Sequence, residues 1–183
     1  MSQGYAIELY FETALENQVL KAWNVLARCN ISKKLIDNQS RPHITLFSSP
    51  SIDPPMLENV LKSLASKQEY LPLSFSSIGT LPDENNLLFL SPTPSLSLLQ
   101  FQAQLCDAMQ KEGIEISDQY RQNSWIPYCK VAEEVPSTQM ADAYTLVRKL
   151  KLPVSGYAVD IGLVEFPPMR ELFSFVLGNS EEA

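Results

Sequence analysis

His43 is the chain's one histidine, and it stands two residues before Thr45 in the run Pro42-His43-Ile44-Thr45-Leu46. An imidazole exchanges a proton near neutral pH, and a hydroxyl two residues along the same strand shares its face and can hydrogen-bond an anion. A second run, Pro127-Tyr128-Cys129-Lys130-Val131, places a phenol and an ammonium at the same two positions. Together the four side chains offer a proton acceptor, a proton donor and partners for a phosphate group.

The two runs are comparable because the chain repeats one plan. His43 is followed by a helical stretch, Pro72-Leu73-Ser74 and a hairpin; Tyr128 is followed by a helical stretch, Pro153-Val154-Ser155 and a hairpin. Ile78-Gly79-Thr80-Leu81 corresponds to Ile161-Gly162-Leu163-Val164. Such self-similarity implies an α+β fold of two pseudosymmetric lobes, each an antiparallel sheet covered by helices, with a central groove between them. His43 and Thr45 would then face Tyr128 and Lys130. We expect one bilobal domain over residues 1–178. Its motif lobes run over about 42–92 and 125–178, an N-terminal strand and helix over 5–30, and a mobile tail over 179–183.

Local patterns supply the elements. Tyr5, Ile7, Leu9 and Phe11 alternate with Ala6, Glu8 and Tyr10 as in a half-buried strand. Thr13 and Glu16 suggest a capping box before the helical stripe Leu15, Val19, Ala22, Trp23 and Leu26. His43, Thr45 and Phe47 should share one strand face, and a helix should open at Asp53-Pro54. A further helix carries Leu98, Phe101, Leu105 and Met109 and stops at Gly113. Trp125 to Ala132 reads as a strand, Ser137 to Leu150 as a helix, and Ser32 to Arg41 as a polar connection.

Order of elements and motif together resemble the 2H phosphoesterase superfamily, which includes cyclic phosphodiesterases and RNA-ligase-like phosphodiesterases, over Tyr5 to Leu177. Its members carry two H-x-[ST] motifs on the central strands of two lobes. His43-Ile44-Thr45 matches the first; the second has Tyr128 in place of histidine and Lys130 in place of Ser or Thr. The resemblance implies a phosphodiesterase needing neither metal nor cofactor, acting on a 2′,3′-cyclic or related phosphodiester of a nucleotide or short RNA end. In that scheme His43 is the base, Tyr128 the acid, and Thr45 and Lys130 hold the phosphate. Lys130 should also make Tyr128 a stronger acid. The alternatives are a nucleotide- or phosphate-binding sensor that keeps the groove without turnover, and a purely structural interaction domain.

Tyr5, Tyr10, Tyr120 and Trp125 are candidates for stacking on a base, and Arg41 and Arg121 for approaching phosphate. One histidine and scattered cysteines do not make a metal site. A net charge of −7 disfavours nonspecific binding of long nucleic acid and favours small ligands. With 45% hydrophobic and 19% charged residues the composition is that of a globular domain, and no apolar run reaches the roughly 20 residues of a membrane span. Cys29, Cys106 and Cys129 are unpaired by spacing, which points to reduced core thiols and a cytoplasmic or nuclear setting. Protein partners leave no trace in the sequence.

Overall fold

The computed structural model describes residues 3–83 and 85–178; the expected tail over 179–183 lies outside them. Strand β1 (Gly4–Phe11) leads to helix α1 (Thr13–Arg28), a short helix α2 (Lys34–Asp37), β2 (His43–Ser49) and α3 (Pro54–Ser66). The hairpin β3 (Leu71–Gly79) and β4 (Leu88–Pro92) precedes α4 (Leu96–Lys111), β5 (Cys129–Ala132) and α5 (Met140–Val147). The hairpin β6 (Val154–Phe166) and β7 (Arg170–Val176) ends the series. The strands form one antiparallel sheet ordered β2-β1-β6-β3-β4-β5, with β7 also paired to β6. Among the described residues no helix is long and apolar enough to cross a membrane.

Strand order crosses the two repeats. β4, grouped with His43 by chain position, pairs instead with β5, β3 lies between β4 and β6, and β6 pairs with β1 beside β2. The hairpin of each repeat therefore lies on the side of the sheet that holds the other repeat's motif strand. The crossing is fixed where β3 meets β6: Ser74 lies opposite Ser155, its own counterpart in the repeat, and Ser155 Oγ donates to Ser74 Oγ at 3.0 Å. A residue facing its equivalent across antiparallel strands is what a local twofold requires.

Burial explains the elements. Ile7, Leu9 and Phe11 are fully enclosed, and α1 buries the stripe read from its periodicity. The capping box does not form: Glu12 is the N-cap, Thr13 is already helical, and the Glu16 carboxylate is drawn away to Arg41. Helix α3 starts at Pro54 as expected, although Asp53 makes no side-chain cap bond. Ser95 caps α4 by accepting from Leu98 N at 3.2 Å, and Gly113 ends it with a positive φ of 80°. The connection over Ser32 to Arg41 holds α2, and α5 is shorter than expected, preceded by a 3-10 turn at Ser137–Gln139.

Two departures bear on the site. A bulge in the β1–β2 pairing puts Phe47 opposite Ile7, so Phe47 turns into the core and leaves the face of His43 and Thr45. The expected strand from Trp125 begins only at Cys129. Pro127 has no N–H for a ladder, and residues 121–128 instead form a loop laid against β2, with Trp125 Nε1 donating to Thr45 O at 3.2 Å.

Candidate functional site

Sheet register aligns the two motifs independently of the sequence match. Across β6, β1 and β2, Gly162 lies opposite Glu8 and Glu8 opposite Thr45. Across β3, β4 and β5, Gly79 lies opposite Phe89 and Phe89 opposite Lys130. Thr45 and Lys130 are thus equivalent, as are Glu8 and Phe89, and His43 and Tyr128 each come two residues earlier. Both glycines are there for space. A Cβ at Gly162 would sit 3.0 Å from the Tyr10 ring, and one at Gly79 would sit 2.7 Å from the Phe89 ring.

His43 is 7% exposed. Its Nδ1 donates to the Arg41 carbonyl at 2.6 Å, since a carbonyl can only accept, which leaves Nε2 as the ring's working nitrogen. That nitrogen faces Glu8 Oε1 at 3.4 Å. Glu8 is 4% exposed, and its other oxygen accepts from the Tyr10 hydroxyl at 3.0 Å. Burial first, and then the Glu8 charge, push the Tyr10 phenol far above its ordinary range, so it stays a donor. Arg41 covers this group with its guanidinium 4.4 Å from the Tyr10 ring centroid. It is already bonded to Glu16 at 2.9 Å and to Asp160 at 3.4 Å.

On the other side, Tyr128 stacks on Phe89 with centroids 4.7 Å apart. Burial, followed by the charges of Asp83 and Glu133, pushes its phenol upward. The expectation that Lys130 would make Tyr128 a stronger acid is therefore corrected: Lys130 Nζ turns to Glu133 Oε2 at 3.4 Å. The two motifs touch through Cys129, a fully buried thiol hydrogen-bonded by the His43 backbone and pushed up to about 12 by burial.

Between the motif strands lies a cavity of about 110 Å³, lined by Thr45, Leu81, Gln119, Tyr120, Ser124, Trp125, Ile126 and Tyr128. Thr45, Tyr128 and Trp125 are thereby brought together. His43 and Lys130 do not line it. Tyr10 is buried beneath Arg41, and Tyr5 lies at the far end of β1, opposite Ser49, about 16 Å from Tyr10 at strand rise. Tyr120 is held by its hydroxyl to Ser48 Oγ at 2.8 Å. Arg121 pairs with Asp118 at 2.9 Å.

Two residues that sequence reasoning missed hold this arrangement. Glu8 supports His43. Gln102, 2% exposed on α4, donates to Leu46 O at 3.2 Å and Tyr120 O at 2.7 Å, tying the cavity loop to β2. A signal existed for Gln102, which falls four residues after Leu98 on the helix's apolar stripe.

The fold has relatives. The solved structure of E. coli LigT complexed with 3′-AMP is 15% identical, covers 96% of this chain and 98% of its own, and superposes with a TM-score of 0.64. TT0787 of Thermus thermophilus is 10% identical over 96% of this chain and 98% of its own, with a TM-score of 0.65. The E. coli LigT complex with NADP+ gives 15% identity, the same coverage and a TM-score of 0.60. No curated protein sequence matches the chain. These likenesses confirm the expected α+β fold, and the family profile described as "2′-5′ RNA ligase superfamily" matches residues 12–166, spanning both motif strands and both glycines. The chain belongs to the 2′-5′ RNA ligase superfamily, the 2H phosphoesterases.

Proposed function

We propose that this protein binds a small nucleotide or short RNA end at the mouth of the cavity between the motif strands, whose 110 Å³ admits one ring, and does not cleave it at the rate of a two-histidine enzyme. The cavity carries the reading: Thr45, Trp125, Tyr120 and Tyr128 line one opening, offering aromatic surface and hydroxyls to a base and sugar. Three facts argue against rapid turnover. His43 is not among the residues lining that cavity, Tyr128 is pushed away from the acidity a proton donor needs, and Lys130 and Arg41 are already paired with carboxylates. The charge of −7 favours a small ligand over a long polyanion.

A second reading, a slow metal-independent phosphodiesterase with His43 as base, is favoured by the Nδ1 bond to Arg41 O, which places the lone pair of the neutral ring on Nε2. Titration of metal-free protein with 3′-AMP and with 2′,3′-cyclic AMP, followed by tryptophan fluorescence and by phosphorus NMR, separates the two. Saturable quenching that disappears in Trp125→Phe, with the cyclic phosphate intact, supports the binding protein. Conversion of the cyclic phosphate that stops in His43→Ala supports the slow enzyme. Absence of saturable quenching removes the proposal.

A further inference from the structure

We propose that Glu8 is an internal ligand of His43: its carboxylate occupies the Nε2 side of the imidazole and keeps phosphate off it. This rests on the binding function proposed above, because it says which part of a nucleotide the site refuses. The pseudosymmetry supplies the argument. Glu8 and Phe89 hold equivalent positions, each one strand inward from the motif strand and opposite the residue two after His43 or Tyr128. In one half the position carries an aromatic ring stacked on Tyr128. In the other it carries a carboxylate on the imidazole, 3.4 Å from Nε2. A carboxylate 4% exposed must be compensated by polar partners, and Glu8 has the Tyr10 hydroxyl on one oxygen and, when the ring carries its second proton, the Nε2–H of His43 on the other.

The arrangement leaves no vacant side to the imidazole. Nδ1 is committed to the Arg41 carbonyl, and Nε2 meets an anion that the chain itself supplies. A phosphoryl oxygen seeking Nε2 would have to displace a carboxylate of its own charge sign, inside a site where charges are poorly screened. The surrounding cation gives no relief, since Arg41 is spent on Glu16 and Asp160. Gly162 is part of the same construction, admitting the Tyr10 ring that holds the carboxylate in place. Glu8 is on this account a positioning and specificity-determining residue.

Because the chain has one histidine, the imidazole nitrogens give unambiguous proton–nitrogen correlation signals. The test is titration of these signals with inorganic phosphate at fixed pH, in the wild type, Glu8→Gln, Glu8→Ala and Tyr10→Phe. Glu8→Gln keeps the side chain's shape without its charge, and Tyr10→Phe removes only the hydroxyl that anchors it. The wild-type imidazole should be indifferent to phosphate. The two Glu8 variants should respond with an apparent affinity at least tenfold higher, and Tyr10→Phe should fall between. Tryptophan quenching by 3′-AMP is read in parallel in the wild type as the check on the binding function itself. If it is lost in the wild type, the binding function fails and Glu8 is judged on the phosphate response alone. A wild-type imidazole that responds to phosphate as strongly as the Glu8→Gln imidazole, or a folded Glu8→Gln that does not respond, overturns the assignment.

Discussion

Replacing His43 with leucine should destabilise the protein far more than a surface histidine substitution would. The side chains of His43 and Glu8 are 8% and 5% exposed and 3.4 Å apart, so removing the imidazole leaves a carboxylate out of water with the Tyr10 hydroxyl as its remaining partner. Breaking a buried pair in this way costs about 3–5 kcal/mol. Glu8→Leu leaves a ring nitrogen without its partner, which costs about 1–3 kcal/mol. The double change leaves neither orphan, and its cost should fall short of the summed singles by about 2 kcal/mol. In a domain of this size, at about 2–4 °C per kcal/mol, His43→Leu alone should lower Tm by about 6–20 °C. Urea unfolding of the four proteins gives the cycle directly. A coupling below about 0.5 kcal/mol, with unchanged m-values, would mean the two groups ignore each other and would refute the reasoning.

Other consequences are separable from that pair. Gly79→Ala puts a methyl 2.7 Å from the Phe89 ring and must displace it from Tyr128; a loss of about 1–3 kcal/mol is expected, checked by thermal unfolding. Trp125→Ala removes a cavity wall and the bond to Thr45 O, and should weaken 3′-AMP binding at least tenfold by calorimetry, given stacking worth about 1–3 kcal/mol. Cys29 is exposed, whereas burial pushes Cys106 up to about 11 and Cys129 up to about 12, so a thiol reagent at pH 8 should label one cysteine quickly and the others only on unfolding. The same two thiols stay protonated when folded and ionise when unfolded above their ordinary value of 9.0. Stability is then full below pH 9 and falls on raising pH towards 11–12, by about 1.4 kcal/mol per unit for each thiol; urea midpoints between pH 8 and 10.5 measure it.

What could be read beforehand follows the physics of the signals. The repeat, the helix stripes and the alternation in β1 were legible because burial imposes a period that a sequence must obey. The equivalence of Thr45 with Lys130 was legible for the same reason, and the register confirms it. Chain order, however, does not say where in the sheet a strand will lie, so the crossing of the two hairpins was hidden. A bulge shifts parity without changing composition, which concealed the inward turn of Phe47. Cys29 was expected in the core but follows the last residue of α1 on an exposed end. Candidate site residues were chosen by chemical type, and type cannot reveal that Lys130 and Arg41 find carboxylates within reach. Glu8 was visible only as a polar residue on the strand's second face; its meaning came from Gly162 and Tyr10, which bring it against His43.

On the proposed function, this groove keeps its ligand and sets aside the chemistry of paired histidines. That function is tested most directly by the rate of 2′,3′-cyclic AMP hydrolysis, without metal, in the wild type and in Tyr128→His/Lys130→Thr/Glu8→Ala. The variant restores the second motif and frees His43. Wild type should bind without measurable conversion, and the variant should convert the cyclic phosphate at least about 10²-fold faster, the contribution of one positioned acid. Wild-type hydrolysis as fast as the variant's would contradict the account.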